Sequence, residues 1–406
     1  MNTLAFLRDN TRWLAAGALL TFLSSFGQTF FISIFAGEIR QEFGLSHGQW
    51  GGIYTLGTGA SAAVMVWAGG LTDKFRVRSL GTAILVMLAG ACAFMALNNA
   101  VWLLPLVIFA LRFTGQGMTS HIAVVAMSRW FIATRGRALS VATLGFAAGE
   151  ALLPLVFVTL MIVVDWRMLW FLSGLIALMG IPVLTGLLRQ ERTPQSLAQS
   201  DQPAGMEGRH WTRNQSIRHF LFWFMIPALL GPSAFNTAFF FHQVYFAEVK
   251  EMTHLQLVAM FPFYTVISIF AMVASGWALD RFGTPRLIPW FQLPMVAGFA
   301  LFAFAGSWGG VLAGFFFLAL TTGANTTLPN AFWAEFYGTR HLGSIKAMAA
   351  AVMVLGSAIG PGLTGFGIDL GLGIETQYLI VALYFIIASA MMWLGVRRAA
   401  LLLTAD

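Results

Sequence analysis

Gly69-Gly70-Leu71-Thr72-Asp73-Lys74-Phe75 returns as Gly276-Trp277-Ala278-Leu279-Asp280-Arg281-Phe282, 207 residues further along a chain of 406. The first Gly, the Asp, the cation after it and the Phe coincide. Each copy closes a long apolar run and opens a short basic loop. A phrase repeated at about half the chain length divides the molecule into two similar halves in series. The apolar runs make those halves membrane bundles.

Apolar residues fill 58% of the positions and charged residues only 10%. A soluble domain carries about a quarter charged residues, so this chain is solvated largely by lipid. Apolar stretches of roughly 20 residues, each able to cross a hydrocarbon core of about 30 Å as helix, occur twelve times. Numbered spans 1 to 12, they cover about 13–37, 48–71, 79–97, 101–128, 138–163, 168–188, 219–247, 256–279, 287–305, 308–333, 344–368 and 374–396. The predicted fold is an all-α integral membrane protein of two six-helix bundles, residues 1–188 and 219–406, joined by a polar cytoplasmic linker, 189–218. Span 1 follows Arg8 and Arg12 but is too long for a secretory signal and lacks a small-residue cleavage site, so it reads as a retained helix.

The net charge of +7 is distributed by topology. With the N-terminus in the cytoplasm, 19 of the 23 Lys and Arg residues fall on inner loops or termini. That positive-inside pattern orients the chain in an inner or plasma membrane with both ends cytoplasmic, and it implies no nucleic-acid partner. Cys92, the only cysteine, excludes disulfide and thiolate-metal frameworks. Small residues cluster inside spans, notably Gly145-x3-Gly149 and Gly356-x3-Gly360, where they permit close helix approach.

Twelve spans, a mid-chain linker and the duplicated loop after spans 2 and 8 together resemble the major facilitator superfamily of transporters. Gly69-x-Leu71-x-Asp73-Lys74 with Arg76 and Arg78 is similar to the family's first-half loop signature, with Arg76 where a Gly is usual; the second copy keeps that Gly as Gly283. Arg112-x2-Gly115-Gln116-Gly117 resembles the family's span 4 motif. Gly356-x3-Gly360-Pro361 has the form of a motif that normally belongs to span 5. The resemblance implies alternating access by two parallel repeats. It also implies a cytoplasmic gate at Gly69, Asp73, Lys74, Arg78, Arg135, Gly276, Asp280, Arg281 and Arg340. There Asp73 faces Arg135 or Arg137, Asp280 faces Arg340, and Gly69 and Gly276 allow close approach. Trp130-Phe131 and Arg135-Gly136-Arg137-Ala138 resemble the loop after span 4 in monocarboxylate and oxalate/formate-type members. Those relatives hold a carboxylate with a basic residue of the second half, and Phe261–Leu279 of span 8 contains none.

Charges within spans are costly and therefore informative. Arg112 lies about eleven residues into span 4 and Glu150 about twelve into span 5, both near mid-depth at ~1.5 Å per residue. The two are expected to pair or share a network, Glu150 carrying a proton and Arg112 tuning it. Gln28, Phe31, Gln116, Asn236, Phe239, His242 and Asn325 are candidate substrate-cavity residues, uncharged donors and acceptors beside aromatic faces. With Arg112 neutralised by Glu150, such a site favours neutral, zwitterionic or amphiphilic solutes.

No metal cluster, nucleophile triad or phosphate loop is legible in the span interiors. The expectation is a non-enzymatic monomer without cofactor or metal that moves a small organic solute, coupled to protons, by secondary active transport. Drug or metabolite efflux by antiport is the alternative, and a non-transporting membrane receptor or scaffold is the rival class.

Overall fold

The computed structural model describes residues 3–131, 134–190, 204–338 and 340–403. All twelve expected spans contain helix, and no strand occurs among the described residues. Nine helices there are long and apolar enough to cross a bilayer. A tenth candidate, span 1, is a pair, Phe6–Gly27 and Thr29–Phe43, bent by 46°. The other two are span 2, His47–Ala68, started by a Ser46/Gln49 capping box, and span 9, the shorter Leu293–Phe304.

The chain separates into two compact units. The first comprises Met1–Ala198 together with Phe240–Tyr245 and His254–Phe261; the second comprises the remainder. Within the first unit, span 1 crosses span 5 (Arg135–Met161) at Gly145 and Gly149. A Cβ at these positions would fall 1.9 Å from the Ala18 carbonyl oxygen and 2.0 Å from Ser25 Oγ. Within the second unit, Gly356 and Gly360 of span 11 (Leu342–Asp369) meet the Leu230 and Ala234 carbonyls of span 7 (Phe220–Phe241) in the same way. Both Gly-x3-Gly phrases are thus contact faces where a side chain would force the helices apart.

Each unit also carries a clasp between the ends of its helices. In the first, Glu42 pairs with Arg167 at the start of span 6 (Trp166–Leu187), and Arg167 also donates to the Ala96 carbonyl at 2.6 Å. In the second, Lys250 pairs with Glu375 at the start of span 12 (Ile374–Ala399) and donates to the Ala303 carbonyl at 2.9 Å. Glu42 and Lys250 stand 208 residues apart, as do Arg167 and Glu375. The geometry repeats while the signs of the charges are exchanged.

The expected linker is not a free polar tether throughout. Residues 191–203 lie outside the described residues, but Met206 and Trp211 are buried in the second unit's core. The Trp211 backbone N–H donates to the Tyr337 carbonyl at 3.0 Å, and its indole N–H to the Met206 carbonyl at 3.1 Å. Two apolar anchors dock an otherwise polar stretch, a signal too sparse for any periodicity to reveal. The docked segment ends at His219, just before span 7, whose ring lies 4.8 Å from that of Trp211. Burial lowers the His219 pKa below the usual histidine range; Glu207 opposes that shift and Arg209 adds to it.

The Lys250 side chain is 5% exposed and that of Arg167 19%, so Glu375→Ala strands the more deeply buried cation. It is expected to cost about 1–3 kcal/mol and to lower the melting temperature in detergent more than Glu42→Ala does; equal shifts would refute the dependence on burial. A histidine whose pKa falls on folding favours the folded state when neutral. Docking of the linker is therefore complete above the ordinary histidine value, about 6.5, and weakens as pH drops from there through the lower folded-state value. Hydrogen-exchange protection of residues 205–218 should fall on acidification, and His219→Phe should remove that dependence.

Candidate functional site

The break in span 1 organises the first unit's interior. The helix tightens to a 3-10 turn at Ser24–Gly27, and Gln28 is extended at φ −85° and ψ 153°. In a continuous helix the Phe31 N–H would reach the Gly27 carbonyl; here it donates to the Gln28 carbonyl at 3.2 Å. The freed Gly27 oxygen instead accepts from Arg112 of span 4 at 3.1 Å. Arg112 also donates to Thr29 Oγ1 at 3.3 Å, and that hydroxyl bonds the Tyr54 hydroxyl of span 2. The guanidinium carbon lies 5.4 Å from the Tyr54 ring centre, and the Arg112 Nε has no partner.

Span 4 reaches this position through a local change of its own. Arg112–Thr119 forms a π-helix, a wide turn frequent at functional sites. Gly115 within it packs on Gly27: a Cβ on Gly115 would be 2.6 Å from the Gly27 Cα. Two facing glycines let the backbones approach closely enough for Arg112 to cap the broken helix. Burying an arginine at mid-membrane costs about 3 kcal/mol or more. Two hydrogen bonds from a charged donor return about 1.5–3 kcal/mol each, so the brace offsets its own insertion cost.

Among the described residues no hydrogen bond or ion pair joins Arg112 directly to Glu150, as the expected pair requires. The polar contacts of Arg112 are with Gly27 and Thr29, and Glu150 is not among them. Glu150 is half-buried on span 5, directly after the crossing glycine Gly149. The reason for the difference is local: the break releases a carbonyl that the guanidinium caps, and depth along a helix says nothing about which face a side chain occupies.

Other candidates divide between open and packed positions. Gln28 is 8% exposed, and its side-chain amide makes no hydrogen bond among the described residues. Gln116 and Asn325 are half-buried. Asn236 donates to Thr322 Oγ1 at 3.3 Å, which also accepts from the Tyr264 hydroxyl at 3.1 Å, while Asn236 Oδ1 is buried without a partner. Phe31 and Phe239 are corrections to the expected cavity lining. Each is fully buried in its own unit, Phe31 against Phe157 and Trp170 and Phe239 stacked at 4.5 Å on Phe302, so neither lines open space. His242 is 3% exposed, its ring 5.0 Å from Phe241.

Sequence reasoning missed Ser33 and Gln243. Ser33 Oγ donates to the Phe240 carbonyl at 2.6 Å, and Gln243 Nε2 donates to Ser33 Oγ at 2.7 Å and to the Phe30 carbonyl at 3.2 Å. Trp50 stacks on Phe241 at 5.5 Å. These contacts join Phe240–Tyr245 to the first unit's spans 1 and 2, and no local pattern announces a bond between residues so far apart in the chain.

The expected gate residues differ in their surroundings. Asp73 and Arg135 lie outside the described side chains. Gly69 faces His121, whose Nε2 would be 3.4 Å from a Cβ there, but around Gly276 a Cβ would meet open space, so it mediates no close approach. Asp280 and Arg340 form no ion pair among the described residues, and Lys74 is exposed. Arg281 lies over Trp277 and Phe282 of its own helix, Phe261–Phe282. Arg129, which sequence reasoning treated only as an orienting charge, donates to the Thr72 carbonyl at 2.8 Å. Arg78 lines a cavity between spans 3 and 6.

Solved structures share this fold. A bacterial homologue of the human lysosomal transporter Spinster, in an inward-facing and unoccupied conformation, matches with a TM-score of 0.70 at 15% identity, covering 98% of this chain and 99% of that one. The nucleoside transporter NupG matches with a TM-score of 0.72 at 14% identity, covering 97% and 99%. No curated protein sequence matches significantly. The family model of the Major Facilitator Superfamily matches residues 17–290 and 260–404. With twelve helical spans in two units and that match along nearly its whole length, the chain belongs to the Major Facilitator Superfamily of membrane transporters.

Proposed function

We propose that this protein is a proton-coupled secondary active transporter that moves a small polar organic solute across the inner or plasma membrane by alternating access, as a monomer with both termini cytoplasmic. The observation that carries the reading is the break in span 1. Irregular backbone at membrane depth persists only where protein or a water-filled cavity satisfies it, and discontinuous helices supply substrate and ion sites in transporters. The Gln28 side-chain amide at the break makes no hydrogen bond among the described residues, and in the second unit Asn236 Oδ1 is likewise unpaired. Amide groups with hydrogen-bonding capacity left over, as at Asn236 Oδ1, suit a solute that carries hydrogen-bond donors and acceptors and no net charge.

Glu150 is the proposed proton carrier, a carboxylate within span 5 whose charge is costly there. Arg112 is assigned a different part from the one its depth suggested: it holds span 1 in its broken form. The positive-inside loops support the orientation. The monocarboxylate and oxalate/formate likeness gains no support, since Arg112 is committed to span 1 and span 8 offers no cation.

Proteoliposome flux under an imposed pH gradient tests the coupling. Glu150→Gln is expected to abolish gradient-driven accumulation while leaving solute exchange across the membrane; undiminished accumulation would sink the carrier role. A double-mutant cycle separates the two residues. If Arg112 braces span 1 independently, Arg112→Lys and Glu150→Gln combine additively in melting free energy within about 0.5 kcal/mol. A larger coupling would restore the ion pair.

A further inference from the structure

Two cavities at matching places in the two units share one chemistry. In the first unit, a cavity of about 540 Å³ lies between the start of span 3 (Val77–Leu97) and the end of span 6, lined by Arg76, Arg78, Arg189, Ser79, Thr185 and Leu188 among others. In the second unit, one of about 320 Å³ lies between the start of span 9 and the end of span 12, with Arg286, Arg397, Trp290 and Trp393 in its lining. Arg78 and Arg286 stand 208 residues apart, and so do Arg189 and Arg397. An arginine pair at corresponding positions therefore lines a cavity in both halves, although the rest of each lining differs.

We propose that each cavity binds the phosphodiester headgroup of an anionic phospholipid from the cytoplasmic leaflet, on the orientation proposed above. A guanidinium donates two parallel hydrogen bonds to phosphate oxygens, and two of them at one groove match a single phosphodiester. Basic pockets between membrane helices on the cytoplasmic side have the charge and depth that such headgroups need. The surroundings favour a lipid over a soluble phosphate. Along span 3 the face of Ser79 and Ala83 continues to Met87, and along span 6 the face of Thr185 continues to Leu178, both exposed apolar residues. In the second unit, Trp393 continues along span 12 to the exposed Ile386. A headgroup in either cavity thus has an apolar track for its acyl chains. Trp290 and Trp393 place indole rings beside the second cavity, a residue type that settles at headgroup depth.

Native mass spectrometry of the delipidated full chain, with added phosphatidylglycerol or phosphatidylcholine of the same acyl chains, tests the proposal. This readout depends on neither transport nor proton coupling, so its failure is distinct from theirs. Two phosphatidylglycerol molecules are expected to be retained in preference to phosphatidylcholine. Arg78→Gln with Arg189→Gln should remove one and Arg286→Gln with Arg397→Gln the other, each weakening retention on the order of tenfold. The corresponding Arg→Lys pairs, which keep the charge, should retain more of the binding than the Gln pairs. Equal retention of the two lipids, or unchanged retention in the Gln pairs, overturns the proposal. Displacement of phosphatidylglycerol by millimolar inorganic phosphate also overturns it, in favour of a soluble-anion site.

Discussion

One hydrogen bond, from the Arg112 guanidinium to the Gly27 carbonyl, governs the arrangement of the first unit. It exists because span 1 breaks at Gln28 and releases a backbone acceptor in an environment where an unsatisfied carbonyl is costly. The π-helix of span 4 and the Gly27–Gly115 contact bring the arginine to that acceptor. Thr29 and Tyr54 then fix the guanidinium from the far side of the break. Among the described residues the second unit shows no such brace: Leu320 stands 208 residues after Arg112, and span 7 runs as one helix from Phe220 to Phe241. The buried cation and the broken helix occur in the same half because each makes the other tolerable.

Elsewhere the halves repeat geometry more faithfully than chemistry. Gly145 and Gly149 against span 1 correspond to Gly356 and Gly360 against span 7. The Glu42–Arg167 clasp returns as Lys250–Glu375 with the charges exchanged, each cation also satisfying a carbonyl at the end of a third helix. Such an exchange is open to an ion pair, whose attraction does not depend on which partner carries which sign. It is closed to a glycine crossing, where only the missing side chain matters. The repeated parts constrain how each bundle packs, and the unrepeated brace gives the first bundle a polar interior of its own.

The sequence made the twelve spans, the two halves and the Gly-x3-Gly contacts legible, because lipid imposes length and hydropathy on every span and close approach demands small residues. It also singled out Arg112 and Glu150 by the cost of burying charge. It misjudged Phe31 and Phe239, since an aromatic face reads the same whether it meets a cavity or a core. It passed over Met206 and Trp211 because two anchors in a polar segment form no pattern. Gln28 and Asn236 were nameable as polar residues in spans; the buried, unpaired Asn236 Oδ1 was not.

By itself the sequence determined that this is a two-bundle membrane transporter, because hydrophobic length and a repeated loop phrase act locally and can be read one segment at a time. Only the tertiary structure decided that Arg112 serves Gly27 and not Glu150. Pairing across helices depends on rotation about each helix axis and on which acceptors the fold releases, and neither is written in the spacing of residues along one span.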